Sequence, residues 1–265
     1  MISYQFDLDT TVELLSNGRY RTVVNPGWNI GDNPNGGYLI SIVDSAIRAT
    51  IIHPDPVSLS THFLRPGVAG EECDIVVEVV RAGRRTTTIK ASLRQEGKSR
   101  LEVLATYSDL AKPVGLDSDI SVPQIKMPEP DSCIPRTGDL QGIDIALIDK
   151  LDVRLQPEFA APSVPGDPEI AGWVRHRDGR PPDIKSLLLF TDCFPPSPLG
   201  ALGTVGWVPS VELTIHVRRR PVAGWIKASL VTDDLTDGWM IESGYFWDSA
   251  GFLVAESRQL GIVRG

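Results

Sequence analysis

The chain has 265 residues, of which 42% are hydrophobic and 23% charged, and its formal net charge is −8 at pH 7. This composition is ordinary for a globular protein with a sizeable core, and the length suits two domains or one large domain with internal symmetry. The acidic balance disfavours a nucleic-acid partner, because its phosphates would be repelled. No apolar run approaches the ~18 residues of a membrane-spanning helix, so we expect no membrane partner.

The N-terminal residues and the cysteines predict a cytoplasmic protein. The first ten residues, MISYQFDLDT, have neither the basic nor the apolar region of a signal peptide. Cys73, Cys133 and Cys193 lie far apart in the sequence and form no CxxC pair. We therefore expect reduced thiols, with neither a disulfide framework nor a metal site.

A hairpin, a helix and four strands are predicted in the first part of the chain. The hairpin turns at Asn17-Gly18, a strong short-range hairpin signal. A loop rich in Asn, Gly and Pro follows over residues 25–37, and then a helix with Leu39 and Ile47 on one apolar stripe. The prolines after His53 end this helix. Strands of β-branched and apolar residues are then predicted over 57–64, 72–81, 84–95 and 99–109.

The second part of the chain predicts similar elements after a proline-rich segment. Residues 113–148 contain five prolines among scattered acids, which favours an extended linker. Asp183 is placed to cap a helix that reaches Cys193 and ends before Pro195-Pro196. Strands are predicted around this helix over 151–160, 170–178, 210–218, 225–233, 239–247 and 252–263.

One segment is repeated in the two parts of the chain. Residues 57–63 (VSLSTHF) and 211–217 (VELTIHV) share Val, Leu and His, and Ser60 corresponds to Thr214 at an offset of 154 residues. An Arg-Pro pair follows each copy. The shared order of elements indicates a duplicated unit, whose two sheets can pair edge to edge.

Three strings of residues carry a resemblance to a known family. They are NGGY at 35–38, LSTHFLRPG at 59–67 and GFLVAESRQL at 251–260. With them the chain resembles the acyl-CoA thioesterase II group, the double-hotdog thioesterases, over nearly its whole length. The resemblance implies an α+β double hotdog, in which two tandem helix-wrapped antiparallel sheets join into one continuous sheet. The units expected from it are an N-terminal hotdog over 1–112, a proline-rich linker over 113–148 and a C-terminal hotdog over 149–265.

The resemblance also implies an activity and three site residues. The family hydrolyses fatty acyl-CoA without a metal or an organic cofactor, and an Asp, a Thr and a Gln of the second half hold the water. By local match Gln259 takes the Gln position and Thr232 the Thr position. The acid position falls on Glu212, where the family carries Asp, so the carboxylate is displaced by one methylene. The partner implied is small-molecule acyl-CoA, and related double hotdogs predict a homodimer or homotetramer.

The residues themselves leave several roles open. Glu212 shares one strand face with Thr214, and this face is either the wall of a site or a solvent face. Gly36 and Gly37, at the start of the first helix, are candidates to donate amides to an oxyanion, or are packing glycines. Acids within apolar helix stripes are either surface groups or site groups; Asp44 is the backup catalytic acid, and Asp192 has the same setting in the second half.

Three functions remain in competition at this point. Thioester hydrolysis ranks first. An acyl-CoA hydratase or dehydratase ranks lower, because that chemistry usually uses a His and Asp pair and the first helix has Asp44 but no His. A non-catalytic acyl-CoA-binding module is the third. The sequence has no G-x-S-x-G elbow, no P-loop and no G-x-G-x-x-G run, which disfavours a serine hydrolase and a nucleotide-binding fold.

Overall fold

A computed structural model describes residues 3–112, 115–118, 120–160, 166–204 and 206–264. The predicted N-terminal unit, linker and C-terminal unit therefore each include a few positions outside the described residues, namely 1–2, 113–114, 119, 161–165, 205 and 265. Within the described ranges, no helix has the length and apolar character needed to cross a membrane.

The described residues of the first half form two α-helices and eight strands. The N-terminal helix α1 (Gln5–Asp9) was not predicted, because five residues are too short to show a helical period; it buries Phe6. Helix α2 (Gly36–Thr50) begins at the N-cap Asn35, whose side chain accepts a hydrogen bond from the Tyr38 amide at 2.9 Å. The strands are β1 (Glu13–Ser16), β2 (Arg19–Val23), β3 (Asn29–Ile30), β4 (Asn33–Pro34), β5 (Asp55–Phe63), β6 (Glu72–Ala82), β7 (Thr87–Gln95) and β8 (Lys98–Ser108).

The second half repeats the arrangement of one principal helix and a run of strands. Helix α3 (Ile184–Phe190) starts at Asp183, the N-cap predicted from the sequence, and Asp183 forms a capping box with Ser186. A short helix, α4 (Leu199–Leu202), follows it. The strands are β9 (Ile134–Pro135), β10 (Leu151–Leu155), β11 (Glu169–His176), β12 (Ser210–Val217), β13 (Ile226–Thr236), β14 (Trp239–Trp247) and β15 (Leu253–Ile262).

One continuous antiparallel sheet joins the two halves. Within the described residues it has 13 strands in the order β1-β2-β6-β7-β8-β5-β12-β15-β14-β13-β11-β10-β9. The halves meet where β5 pairs with β12, and Ser60 lies directly opposite Thr214. These two residues are equivalent in the sequence repeat, so a local two-fold axis passes between them. The predicted α+β double-hotdog class is confirmed by this sheet and by its two central helices.

The two central helices pack against each other as well as against the sheet. Helix α2 contacts β6, β7 and α3, while α3 also contacts β12. Gly37 allows this approach, since a β-carbon there would lie 2.7 Å from the Leu188 carbonyl oxygen and 2.8 Å from that of Leu189. The helix-packing glycine expected from the sequence therefore serves the contact between the helices of the two halves.

The proline-rich segment is more ordered than an extended linker. Its strand β9 pairs with β10 and forms the last strand of the sheet, a position that tolerates proline. Arg136, Gln141 and Leu147 are buried. The expectation of an unpacked linker is thus wrong from Cys133 onward, because buried polar and apolar side chains between the prolines attach the segment to the core.

We expect Gly37→Ala to lower the free energy of unfolding by about 1–3 kcal/mol, because the added methyl group overlaps backbone oxygens of α3. Urea denaturation measures this change. Gly115→Ala is the matched control, since a β-carbon at Gly115 meets no atom within 4 Å. Equal stability of the two variants would show that the helices do not meet at Gly37.

Candidate active site

A cavity of about 340 Å³ lies where the two halves meet. It is bounded by the start of α2, the end of β5, the loop after α3 and the inner face of β13–β15. Apolar side chains form much of its wall: Leu39, Phe63, Phe194, Leu230, Met240 and Ile262. The polar side chains on the wall include Arg136, Gln141, Asp192, Ser210, Glu242 and Gln259. Such a cavity, apolar with a few convergent polar groups, is typical of a small-molecule site.

Asp192 crosses from the second half to the first helix. Its Oδ2 accepts hydrogen bonds from the Asn35 side-chain amide at 2.8 Å and from the Gly37 backbone amide at 3.0 Å. The N-terminus of a helix is the positive end of its dipole and therefore favours an ionised carboxylate. Burial raises the pKa of Asp192 to about 6, although the amides of Gly37 and Gly36 and the charge of Arg136 act in the lowering direction.

Gly36 and Gly37 thus contact a carboxylate in this structure. The Gly37 amide, predicted to be available to an oxyanion, is occupied by Asp192. A β-carbon at Gly36 would lie 2.9 Å from Asp192 Oδ2 and 2.8 Å from Phe63 Cζ. The folded chain places a carboxylate of the other half at these amides, which local sequence cannot reveal.

A row of polar residues crosses three neighbouring strands of the second half. Gln259 on β15 lies opposite Glu242 on β14, and Glu242 lies opposite Thr232 on β13. Residues directly opposite each other share a face of the sheet, so the three side chains lie on the same face. Gln259 and Glu242 line the cavity, whereas Thr232 lies behind the wall, with its Oγ1 2.7 Å from the Ser197 hydroxyl.

Ser210 joins this row through an irregularity in β12. The register of β12 against β15 shifts between Ser210 and Glu212, so Val211 is an extra residue in the strand. Such a bulge turns the side chains before it to the opposite face. Ser210 consequently lines the cavity, and its hydroxyl accepts a hydrogen bond from the side-chain amide of Gln259.

Glu212 lies on the other face of the sheet. It pairs with Leu260, whereas its neighbour Leu213 pairs with Gln259. Its carboxylate accepts hydrogen bonds from Ser60 Oγ at 2.8 Å and from Thr214 Oγ1 at 2.6 Å. The structure therefore brings Gln259 and Thr232 into one row but does not bring Glu212 to them. Glu212 therefore does not line this cavity, and its strand face is not the wall of this site at that position.

Glu242 is a second acid at the cavity wall and is only 3% exposed. Its Oε2 accepts hydrogen bonds from the Ser197 backbone amide at 2.8 Å and from the Ser197 hydroxyl at 2.5 Å. Burial raises the pKa of Glu242 to about 7; the bonds from Ser197 lower it, and the nearby charge of Asp192 raises it. The cavity thus holds two carboxyl groups, and burial raises the pKa of both.

Arg136 supplies the positive charge beside these acids. It is 4% exposed, and its guanidinium donates to the carbonyl oxygen of Cys193 and to the side-chain oxygen of Gln141. Burial lowers the pKa of Arg136 to about 10, against the raising effect of Asp192. Arg136 therefore remains charged at neutral pH and holds the loop that carries Asp192.

The first half has an equivalent acid without an equivalent site. Asp44 and Asp192 each follow the first residue of their helix by eight positions. Asp44 is fully buried, accepts a hydrogen bond from the Tyr107 hydroxyl at 2.7 Å and pairs with Arg48 at 2.6 Å. It does not line the cavity. The first-half strand positions that match Gln259, Glu242 and Thr232 are all apolar: Ala105, Ile89 and Val79.

Metal ligands and disulfides do not contribute to the cavity in the described part of the chain. No group of three or more His, Cys, Asp or Glu side chains there is arranged to hold a metal ion. Cys73, Cys133 and Cys193 are free, buried thiols, and burial raises the pKa of each.

We expect Glu242→Gln to change how stability depends on pH. A carboxyl group whose pKa rises from 4.5 to about 7 on folding stabilises the fold below pH 4.5, and this stabilisation is lost as the pH rises toward 7. The variant lacks that loss, so its unfolding free energy should fall less between pH 4.5 and 8, by up to about 3 kcal/mol. Denaturant unfolding across this range measures it, with the exposed Glu78→Gln as control. A pH profile of Glu242→Gln parallel to the wild type would contradict the burial of a titrating group.

The chain matches two family models. One, the acyl-CoA thioesterase N-terminal domain, matches residues 24–108, and the other, the acyl-CoA thioesterase C-terminal domain, matches residues 121–263. An uncharacterised protein of Mycobacterium tuberculosis is 26% identical over 263 residues, covering 91% of this chain and 89% of its own.

Solved structures match over the same extent. A protein from Thermobifida fusca YX, provisionally assigned as a thioesterase II, is 31% identical with a TM-score of 0.89, and the match covers 99% of this chain and 98% of that one. A hot dog fold protein of unknown function from Alicyclobacillus acidocaldarius has a TM-score of 0.88 at 18% identity over 100% and 99% of the two chains. The acyl-CoA thioesterase II TesB2 of Mycobacterium marinum has a TM-score of 0.74 at 23% identity over 98% of each chain. With most of its length matched by both domain models, the chain belongs to the acyl-CoA thioesterase family.

Proposed function

We propose that this protein hydrolyses acyl-CoA thioesters to free acid and CoA, with water positioned by Asp192, Ser210 and Gln259. The observation that carries the proposal is that these three side chains, from separate elements, line one cavity with extensive apolar walls. The family membership supports thioester hydrolysis, and the name of the Mycobacterium marinum relative supports acyl-CoA as the substrate class.

Asp192 is the proposed general base. A carboxylate near water accepts a proton in the transition state when it lies within hydrogen-bond reach, and it works best with a pKa close to the working pH. The raised pKa of Asp192, about 6, leaves it ionised at neutral pH and more basic than an exposed aspartate. Its Oδ2 is held by Asn35 and Gly37, so the carboxylate is oriented before substrate binds.

Ser210 and Gln259 are the proposed positioning groups for water and the thioester carbonyl. The Gln259 amide donates to Ser210, which fixes the side chain of Gln259. The Ser210 hydroxyl retains its own proton and can donate it to water or to the developing oxyanion.

This proposal retains one sequence assignment and changes others. Gln259 keeps its role. The acid role moves from Glu212 to Asp192, because Glu212 bonds Ser60 and Thr214 on the other sheet face. Thr232 supports Glu242 through Ser197. Gly36 and Gly37 are proposed to orient Asp192.

The cavity suits an acyl chain that is joined to an anionic carrier. Its apolar wall can bury alkyl groups, and Arg65 and Arg264 are cationic residues on its lining that can attract CoA phosphates. A hydratase would need a histidine near the acid, and no histidine lines the cavity in the described ranges. The cytoplasmic location and the homodimer or homotetramer stay predictions from the sequence.

We expect Asp192→Asn and Gln259→Ala each to lower kcat for acyl-CoA hydrolysis by ~10²-fold or more, because each removes a group that activates or positions water. Release of CoA, detected as free thiol over a panel of acyl chain lengths, measures this. Glu212→Gln is the matched carboxylate control and should stay within about threefold of the wild type. A large loss of kcat in Glu212→Gln, together with a near-normal kcat in Asp192→Asn, would assign the acid role to Glu212 instead.

We also expect kcat/KM to rise with pH through an apparent pKa of about 6 and then level off, because the ionised form of Asp192 accepts the proton. The measurement is the pH profile of kcat/KM for one acyl-CoA at constant ionic strength. A profile that falls as the pH increases from 5 to 7 would rule out a carboxylate base.

A further inference from the structure

Glu242 is a buried acid at the cavity wall that the proposed hydrolysis does not use. We infer that Glu242 is the binding group of a subsite for a hydroxyl group on the acyl chain, close to the thioester. This inference rests on the proposed acyl-CoA hydrolysis and names the class of acyl group that suits the cavity.

The carboxyl group of Glu242 is held in place through one oxygen, and its other oxygen can still accept a hydrogen bond. Ser197 donates two hydrogen bonds, both to Oε2, and Thr232 lies behind Ser197 in the same network. No described residue hydrogen-bonds Oε1. Oε1 is not sealed from the cavity, so it can accept a hydrogen bond from a ligand that reaches it.

The matching strand position of the first half carries an apolar residue where the second half carries Glu242. Leu230 and Met240 beside it on the cavity wall are apolar. At the matching position of the first half, opposite Ala105, stands Ile89. A hotdog sheet therefore tolerates an apolar residue at this position. An unsubstituted alkyl chain would pack better against an apolar side chain than against a carboxyl group.

The sheet register places the subsite near the reacting carbon. Glu242 lies directly opposite Gln259. Opposite residues of antiparallel strands have Cα atoms about 5 Å apart. If Gln259 positions the thioester carbonyl, Glu242 meets the first few carbons of the acyl chain rather than its far end.

A hydroxyl group matches the chemistry of this carboxyl better than a keto group. A hydroxyl donates and accepts, so it can bond a carboxylate as well as a carboxylic acid, whereas a keto oxygen can bond only the acid. Both forms of Glu242 are populated near neutral pH, since its pKa is about 7.

The test compares 3-hydroxyoctanoyl-CoA, as each enantiomer, with octanoyl-CoA. We expect kcat/KM of the wild type to favour one hydroxylated enantiomer by about tenfold or more, the worth of a hydrogen bond to an ionisable group. In Glu242→Leu this preference should disappear while octanoyl-CoA hydrolysis continues, which also shows that the variant is folded. Glu78→Leu, on an exposed strand position, is the matched control and should keep the preference.

Two results would overturn the subsite: a wild type that prefers octanoyl-CoA over both enantiomers, or a preference that persists in Glu242→Leu. The first needs no variant and so does not depend on variant folding. If the wild type hydrolyses none of the three substrates, the proposed function fails. The dissociation constants of the two enantiomers and of octanoyl-CoA, measured by calorimetry on the wild type, then decide the subsite. Tighter binding of one enantiomer by about tenfold or more supports the subsite, and tighter binding of octanoyl-CoA than of both enantiomers overturns it.

Discussion

The contact between Asp192 and the start of α2 is the interaction on which the site depends. The carboxylate comes from the second half and its hydrogen-bond donors, Asn35 and Gly37, from the first. Gly36 and Gly37 permit the approach, since a β-carbon at either would overlap atoms of the other half. Neither half can assemble this arrangement alone, so the joining of the two sheets at β5 and β12 is a requirement of the site as well as of the fold.

Duplication explains the geometry, and divergence explains why the polar row lies in the second half. The local two-fold axis between Ser60 and Thr214 relates β5 to β12, and each half carries an acid eight positions after the first residue of its helix. Asp44 pairs with Arg48, accepts a hydrogen bond from Tyr107 and does not line the cavity between the halves. Asp192 lines the cavity, and burial raises its pKa to about 6, which suits a group that exchanges protons near neutral pH.

Periodicity and the repeat predicted most of the fold from sequence, and the same reasoning failed at the site for identifiable reasons. Strict alternation along β12 places Ser210 on the face of Glu212, but the bulge at Val211 reverses this. In the sequence Asp192 is recognisable only as an acid at the end of an apolar helix. Its hydrogen-bond partners lie about 155 positions away, so local sequence does not predict them. Gln259 was found because its string resembles the family. The proline-rich segment was misjudged because burial of Arg136 and Gln141 depends on tertiary partners.

The central claim is that the reacting thioester lies between Asp192 and Gln259. A crystal structure of Asp192→Asn with an unhydrolysed acyl-CoA bound tests it most directly. We expect the thioester carbon in the cavity, with a water molecule in contact with both the side chain at position 192 and Gln259. The CoA phosphates should lie toward Arg65 or Arg264. A thioester bound on the outer sheet face near Glu212, with the cavity filled by solvent alone, would contradict it.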